Sequence, residues 1–305
     1  HTNHINPYKG LVAEIVGNAV ISHHSYLQDF LNPELESNYL KRVRDKRIDE
    51  FDRSKQLFFE KVMTETELHQ YVDEAAKELK AFLEKDPQES NEIKIMFLTK
   101  FIFSALIDAD RTNTRLFEEN KSVEPSINHN NLFKSYYERL METLDFYHKQ
   151  PDANKLINKL RKQMSEQCDR FAEKPSGIYT LSIPTGGGKT LSSLRYALKH
   201  AQLYNKKHII YVVPYTTIIE QNADEVRKIL KDEINILEHH SNVVDDINDD
   251  DENFDGFINV RQKLKLAKDN WDVPIIFTTM VQFLNVFYAN GSRNIRRLHN
   301  LCESV

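Results

Sequence analysis

The chain has few of the residues that shape irregular loops or build a disulfide framework. Its 305 residues include only 8 glycines and 2 cysteines. The scarcity of glycine favours a largely helical protein with few irregular loops. Cys168 and Cys302 lie far apart and lack Cys-x-x-Cys spacing. This excludes a disulfide framework and fits a protein of the reducing cytoplasm.

An excess of positive charge and long hydrophobic runs are also missing. The 41 Lys and Arg against 46 Asp and Glu give a net charge of −5, which argues against an overall basic coat for nucleic acid but permits a local basic groove. No apolar run reaches roughly eighteen residues, and no signal-peptide pattern occurs. The sequence therefore indicates neither membrane insertion nor secretion, and its length suits about two domains.

What the chain does contain is a glycine-rich turn, Pro-Thr-Gly-Gly-Gly-Lys-Thr at residues 184–190. The apolar run Gly177–Leu181, which predicts a buried strand, precedes it, and apolar residues at helical spacing follow from Leu191 to Ala201. A strand, a glycine-rich turn, Lys-Thr and a helix together form the usual triphosphate site of nucleotide-binding proteins. The alternative is a glycine turn that only caps a helix and leaves the lysine exposed.

Each residue type in this turn has a chemical reason. Successive glycines let backbone N–H groups face an anion without a Cβ in the way, and the following helix adds its positive end. Lys189 supplies a charge for the β and γ phosphates, and Thr190 supplies a hydroxyl ligand for Mg²⁺. We predict a site for ATP with Mg²⁺ formed by Thr185, Gly186, Gly187, Gly188, Lys189 and Thr190.

The pattern of apolar residues divides the chain into two halves. The first half is predicted to be helical over 9–24, 39–84, 91–117 and 132–147. From Gly177 onward strands alternate with helices, which indicates a parallel sheet covered by helices. The predicted strands are 208–213, 233–240 and 274–278, and the predicted helices are 216–230, 260–268 and 280–288. The acidic run Asp245–Asp255 is expected to be a solvated loop.

The helical half also carries residue types that bind metals. Ser-His-His-Ser at 22–25 ends the first helix, and Asp-Ala-Asp at 108–110 lies near the end of a later one. Imidazole nitrogen and carboxylate oxygen suit divalent transition metal ions. His23 alone could be a core histidine, but the pair together with the aspartates favours a metal site. We predict as ligands His23, His24 and one of Asp108 or Asp110, with His1 and His4 as candidates for further ligands.

These motifs together resemble known families. The Ser-His-His-Ser and Asp-Ala-Asp-Arg segments look like those of an HD-type phosphohydrolase domain. The general phosphate-loop pattern has glycine where Ile183 stands, and the form found here instead resembles motif I of superfamily-two helicases. The segment Val212–Gln221 resembles motif Ia, and Phe277–Phe283 resembles a later DNA-contacting motif. In this order they resemble the helicase–nuclease of type I CRISPR systems.

That resemblance implies a multidomain α and α/β protein. An all-helical HD-type nuclease domain over residues 1–150 would precede the first RecA-like parallel-sheet lobe of a superfamily-two helicase over residues 151–305. The enzyme would be a hydrolase that translocates along single-stranded DNA and degrades foreign DNA, recruited by a CRISPR RNA-guided surveillance complex. Its metal-binding catalytic residues would be His23, His24, Asp108 and Asp110.

Residues at the ends of the predicted strands are candidates for contact with DNA. Loops at the carboxyl ends of parallel strands form a binding crevice, and hydroxyl and N–H groups there can hold phosphates without reading bases. The candidates are Pro214, Tyr215, Thr216 and Thr279. Helix N-capping is the alternative role for the threonines, and one residue can serve both.

Several parts of the family pattern are missing. No His-Asp dipeptide occurs, and the sequence contains neither the Asp-Glu box for ATP hydrolysis nor the second motor lobe with its arginine finger. We expect this chain alone not to couple ATP hydrolysis to translocation. The alternatives are an HD nucleotide phosphohydrolase coupled to a switch-type ATPase, acting on small molecules, and an inactive binding module.

Overall fold

The computed structural model describes residues 6–29, 32, 34, 36–45, 49–122, 127–240, 266–289 and 291–305. The chain divides into two compact units. We call His1–Glu118 with Asn290–His299 the helical unit, and Glu119–Ala289 with Asn300–Val305 the sheet unit. His1, His4, the acidic run and most of the predicted helix 260–268 lie outside the described residues.

The described residues in the first part of the helical unit form five helices. They are α1 (Pro7–Ser22), α2 (Asn38–Leu40), α3 (Phe51–Lys61), α4 (Glu65–Glu84) and α5 (Asn91–Glu118), with a π-helical turn over Lys41–Asp45 after α2. The predicted helical stretch over 39–84 is divided in the structure among α2, the π-helical turn, α3 and α4. The Thr64 hydroxyl accepts a hydrogen bond from the Glu67 N–H, and the Glu67 carboxylate accepts one from the Thr64 N–H. This capping box starts a new helix.

Helices α1, α4 and α5 pack around a small apolar core. Ile15, Leu79 and Leu83 are buried there, and apolar residues of α1 and α5 surround them. Lys94 is buried beside this core, and its ammonium donates to the carbonyl oxygens of Leu83 (3.0 Å) and Asp86 (2.6 Å). A cation at the carbonyl end of a helix is favourable, so Lys94 ties α5 to the end of α4.

The sheet unit begins with helices and continues as alternating strands and helices. Its elements are α6 (His129–His148), a 3₁₀ turn (Pro151–Asn154), α7 (Leu156–Phe171), α8 (Lys189–Leu203), β1 (Ile209–Val213), α9 (Thr216–Leu230), β2 (Ile236–His239), β3 (Ile275–Thr279) and α10 (Met280–Tyr288). The predicted helices 216–230 and 280–288 agree with α9 and α10. The predicted domain limits 1–150 and 151–305 stay a prediction, although α6 packs in the sheet unit.

The described residues form a parallel sheet of three strands in the order β1-β3-β2. The first residues of β1 and β2, Ile209 and Ile236, both pair with Ile275 of β3. Residues 275–278 of β3 are buried, as expected for a central parallel strand covered on both faces. Helices α6, α8 and α9 share one apolar core with the sheet.

The predicted buried strand at Gly177–Leu181 is wrong. Described residues 177–182 have no strand structure and are exposed, with Ile178 fully accessible to water. The N–H of Ile210 donates to the Val305 carbonyl, and the N–H of Val305 donates to the His208 carbonyl. Residues near Val305 therefore pair with β1 on the side that β3 leaves free, while the described residues 177–181 enter no ladder.

A network of charged groups fixes α8 against α6 and α7. The Asp169 carboxylate accepts hydrogen bonds from Tyr137 (2.5 Å), Arg195 (3.1 Å) and Lys199 (3.0 Å). Burial alone would raise the pKa of Asp169, but the bonds from Tyr137 and Lys199 and the charge of Arg195 hold that pKa below its ordinary value. The network therefore holds the helix that follows the phosphate loop.

Among the helices in the described part of the chain, none combines the length and the apolar composition needed to cross a membrane. A later segment of the chain returns to the helical unit. It forms α11 (Ser292–Ile295) and the 3₁₀ turn Leu298–Leu301, whose first two residues belong to that unit. It contacts α5, and its ion pairs bear on the metal-site prediction below.

Candidate functional site

The phosphate loop needs glycine for two different physical reasons. Gly186 and Gly188 have φ angles of 77° and 80°. These values lie in the left-handed region, which residues with a Cβ rarely adopt. A Cβ on Gly187 would lie 2.6 Å from Cγ2 of Ile183 and 2.9 Å from the carbonyl oxygen of Pro184. The Gly187 N–H donates to that same oxygen at 3.0 Å, which closes the turn.

The loop leads directly into the N-terminus of α8. The backbone hydrogen bond from Ser192 N–H to the Gly188 carbonyl opens the helical ladder. The N–H groups of Lys189, Thr190 and Leu191 thus have no acceptor within the helix. Such N–H groups at the positive end of a helix form an anion site. Lys189 is exposed beside them, so a mobile cation is available for the same anion.

A chain of hydrogen bonds from α7 supports the loop from outside. The Arg161 guanidinium donates to the Gly186 carbonyl (Nε–O 2.8 Å) and to the Asn158 side-chain oxygen (Nη1–Oδ1 3.0 Å). The Asn158 amide in turn donates to the Asp152 carbonyl at 2.9 Å. Asn158 and Arg161 are three residues apart in the sequence, and this spacing alone indicates that they share one face of a helix. It does not show that this face meets the loop.

The loop opens into a cleft of about 1010 Å³ within the sheet unit. Its walls come from the end of α6, the 3₁₀ turn, α7 and α9 in addition to the loop. The lining residues include Tyr147, His148, Pro151, Asp152, Arg161, Lys162, Lys189, Thr190 and Glu225. Burial lowers the pKa of His148, and the nearby charge of Lys162 lowers it further. The lining of the cleft therefore combines aromatic and imidazole rings with charged side chains of both signs.

The loop fits a nucleoside triphosphate with Mg²⁺. The deciding observation is the Gly187 position, where a Cβ would collide with the loop itself, together with the unpaired N–H groups at the start of α8. The residues that would hold the phosphates are Gly186, Gly187, Gly188 and Lys189, and the residue that would hold Mg²⁺ is Thr190. Thr185 lies in the same turn and lines the cleft.

The candidates for contact with DNA lie together at the carboxyl ends of β1 and β3. Val213, the last residue of β1, pairs with Thr279, the last residue of β3. Pro214 and Tyr215 follow Val213 and are exposed. The Thr279 hydroxyl accepts a hydrogen bond from the Gln282 N–H at 3.3 Å, so it caps α10. Thr216 is the first residue of α9. Their contact with nucleic acid stays a prediction.

The two histidines of the helical half lie just after α1. Their rings are close, with centroids 3.8 Å apart. His24 is exposed, whereas His23 is half-buried and its Nδ1 donates to the Val20 carbonyl oxygen at 2.6 Å. One nitrogen of His23 is thus already bonded to α1, and Nε2 is the nitrogen left for another ligand.

Asp108 contacts a guanidinium and an imidazole of the segment 291–299. The Arg296 guanidinium donates to Asp108 Oδ1 at 2.6 Å, and His299 Nε2 lies 3.4 Å from Oδ2. Burial alone would raise the pKa of Asp108, but hydrogen bonds from His299 and Arg296 hold it below its ordinary value. Asp110, in contrast, is exposed.

Within the described residues, no three or more His, Cys, Asp or Glu side chains are arranged so that they could hold a metal ion. As they are arranged there, His23, His24, Asp108 and Asp110 do not fit a metal centre. His1 lies outside the described residues. The metal-ligand role of these side chains stays a prediction.

Comparison with known protein families matches residues 143–294 to the family described as Type III restriction enzyme, res subunit. The matched segment runs from α6 to α11 and includes the phosphate loop and all three described strands. These residues thus form a domain of the superfamily-two helicase type, which agrees with the cleft and the parallel sheet. A search of curated proteins found no match.

Proposed function

We propose that this chain binds ATP with Mg²⁺ in the cleft at residues 184–190 and belongs to an ATP-dependent helicase that moves on single-stranded DNA. The observation that carries the proposal is the glycine cradle at the start of α8, with Lys189 beside it. Bound Mg²⁺ neutralises phosphate charge. The protein's own part is to hold the triphosphate with N–H groups and Lys189, and to orient the Thr190 hydroxyl.

Contact with DNA is the second part of the proposal. Pro214, Tyr215, Thr216 and Thr279 would bind the backbone of a single strand at the carboxyl edge of β1 and β3. The support is the register that aligns Val213 with Thr279, together with the exposure of Tyr215. An ATPase that acts on small molecules would not need a second phosphate-binding surface at the carboxyl ends of these strands.

The third part is that the helical half is an HD-type nuclease and that the whole protein degrades foreign DNA in type I CRISPR interference. The support is the resemblance carried by Ser-His-His-Ser and Asp-Ala-Asp-Arg. The partner that recruits the protein would then be an RNA-guided surveillance complex.

The nucleotide site is tested by binding of a fluorescent ATP analogue to the chain with Mg²⁺ present. Replacing Lys189 with alanine removes a charge-assisted contact, and affinity should fall by about 10- to 100-fold. Lys228→Ala, at an exposed position of α9, is the matched control and should bind normally. If wild-type protein does not bind, or if Lys189→Ala binds as tightly, the proposed site is wrong.

The nuclease part is tested in the full polypeptide with circular single-stranded DNA and a divalent transition metal ion. Cleavage should be lost in His24→Ala and retained in Lys189→Ala, because the two activities use separate sites. Loss of cleavage in both folded variants would contradict separate sites. Hydrolysis of mononucleotides with the circular DNA left intact would favour the phosphohydrolase alternative.

A further inference from the structure

Thr190, the residue that would hold Mg²⁺, has a partner outside the phosphate loop. Its hydroxyl donates to the side-chain oxygen of Asn222 on α9, with an Oγ1–Oδ1 distance of 3.2 Å. A hydroxyl has one proton to donate and two lone pairs to offer. Because the proton points to Asn222, the lone pairs face away from that amide and stay available to a cation.

Asn222 lies on a part of α9 that the core holds in place. Ile219, Ala223 and Val226 of this helix are completely buried. Glu225, three residues after Asn222 and on the same face, lines the nucleotide cleft. The side-chain oxygen of Asn222 is therefore presented to the loop by a rigid element, which is what precise orientation of a ligand requires.

We propose that Asn222 is a positioning residue for the magnesium ligand: it accepts the Thr190 proton and so orients the hydroxyl toward the ion that accompanies the nucleotide. The inference rests on the proposed nucleotide site and adds a residue from α9 to it. Groups that orient a metal ligand commonly change metal affinity by about 10- to 100-fold when removed. The effect of Asn222 should thus be confined to the part of nucleotide binding that depends on Mg²⁺.

The test is a Mg²⁺ titration of the binding of a fluorescent ATP analogue, with a parallel measurement in EDTA. In Asn222→Ala the Mg²⁺ concentration for half-maximal binding should rise about tenfold, while affinity in EDTA stays at the wild-type value. Asn222→Asp keeps an acceptor oxygen and should need no more Mg²⁺ than wild type. Gln221→Ala, the exposed neighbour on α9, is the matched control and should behave as wild type.

A double-mutant cycle separates positioning of the hydroxyl from a general effect on the fold. Thr190→Val removes the hydroxyl and keeps the branched shape, so adding Asn222→Ala to it should change the Mg²⁺ requirement no further. The inference is overturned if Asn222→Ala needs no more Mg²⁺ than wild type, if it weakens binding equally in EDTA, or if its effect persists beside Thr190→Val. Wild-type protein that binds no analogue at all would instead overturn the nucleotide site itself.

Discussion

The candidate nucleotide-site residues of the sheet unit are consecutive in the chain, whereas the candidate residues of the helical unit come from segments far apart in the chain. In the sheet unit, residues 184–190 form a turn whose shape follows from its own glycines. In the helical unit, His23 follows α1 and Asp108 lies on α5, where Arg296 and His299 contact it. A site built from one short segment needs only local backbone geometry, while a site built from distant helices depends on packing.

Supporting contacts differ between the units in the same way. Arg161 and Asn222 reach the phosphate loop from α7 and α9 and bond to groups that leave the loop open to the cleft. Arg296 instead bonds directly to a carboxylate that the metal prediction requires. The supporting contacts in the sheet unit thus leave the phosphate loop free to bind a nucleotide. In the helical unit, the contact from Arg296 competes with metal binding by the same carboxylate.

The largest expected effect comes from exchanging glycine for alanine in the two units. In Gly187→Ala the new Cβ would meet Ile183 at 2.6 Å. Overpacking of about 1–3 kcal/mol should weaken binding of the ATP analogue by about 10- to 100-fold. Gly10 is exposed in α1, and an added Cβ would meet no described atom within 4 Å. Gly10→Ala should therefore stabilise the helix by about 0.5–1 kcal/mol and leave binding unchanged. Equal binding of the ATP analogue by both variants would contradict the requirement for glycine at position 187.

The next effect concerns the charged network behind α8. In Asp169→Ala the buried Arg195 guanidinium loses its carboxylate, and unfolding in urea should show a loss of about 2–3 kcal/mol, less than for a fully buried pair. Glu173→Ala removes a partner of Lys199 that is 66% exposed, and it should cost less than about 0.5 kcal/mol. Similar losses in both variants would contradict the role given to burial.

Asp108 and Asp110 offer a closer comparison within the helical unit. Asp108→Asn weakens the pair with Arg296, whose side chain is 9% exposed, and should lower the free energy of unfolding by about 1–2 kcal/mol. Asp110→Asn changes an exposed carboxylate and should stay within about 0.5 kcal/mol of wild type. If Asp108 acts only in the pair with Arg296, both values should be the same with and without EDTA. A loss for Asp108→Asn that appears only when metal is present would favour the metal-ligand role.

The smallest effect is a dependence on acid. The pKa values of Asp108 and Asp169 are held below their ordinary 3.8 in the folded protein. Their contribution to stability is thus complete above the unfolded pKa and is lost as the pH falls through the lower folded values. Urea unfolding from neutral pH down to about pH 3 should show the wild-type advantage over Asp169→Ala shrinking below pH 3.8. An advantage that is constant across this range would contradict the assigned shift.

Much of the secondary structure could be predicted because its signals are local. The run of β-branched residues at 208–213 predicts a strand, and Ile209–Val213 forms one. Gly177–Leu181 carried a similar apolar pattern and forms no strand. A strand also needs a neighbour with a free edge, and the edge of β1 is taken up by residues near Val305. Composition within a segment cannot report that.

The amino-acid sequence by itself determined the phosphate loop, because positive φ at Gly186 and Gly188 and the absence of a Cβ at Gly187 act within seven consecutive residues. Only the tertiary structure decided which distant groups meet it. Asn222 reaches Thr190 because Ile219, Ala223 and Val226 fix the rotation of α9. Asp108 meets Arg296 because α11, which ends just before Arg296, packs on α5. Helical spacing tells which residues share a face, and packing alone decides what that face touches.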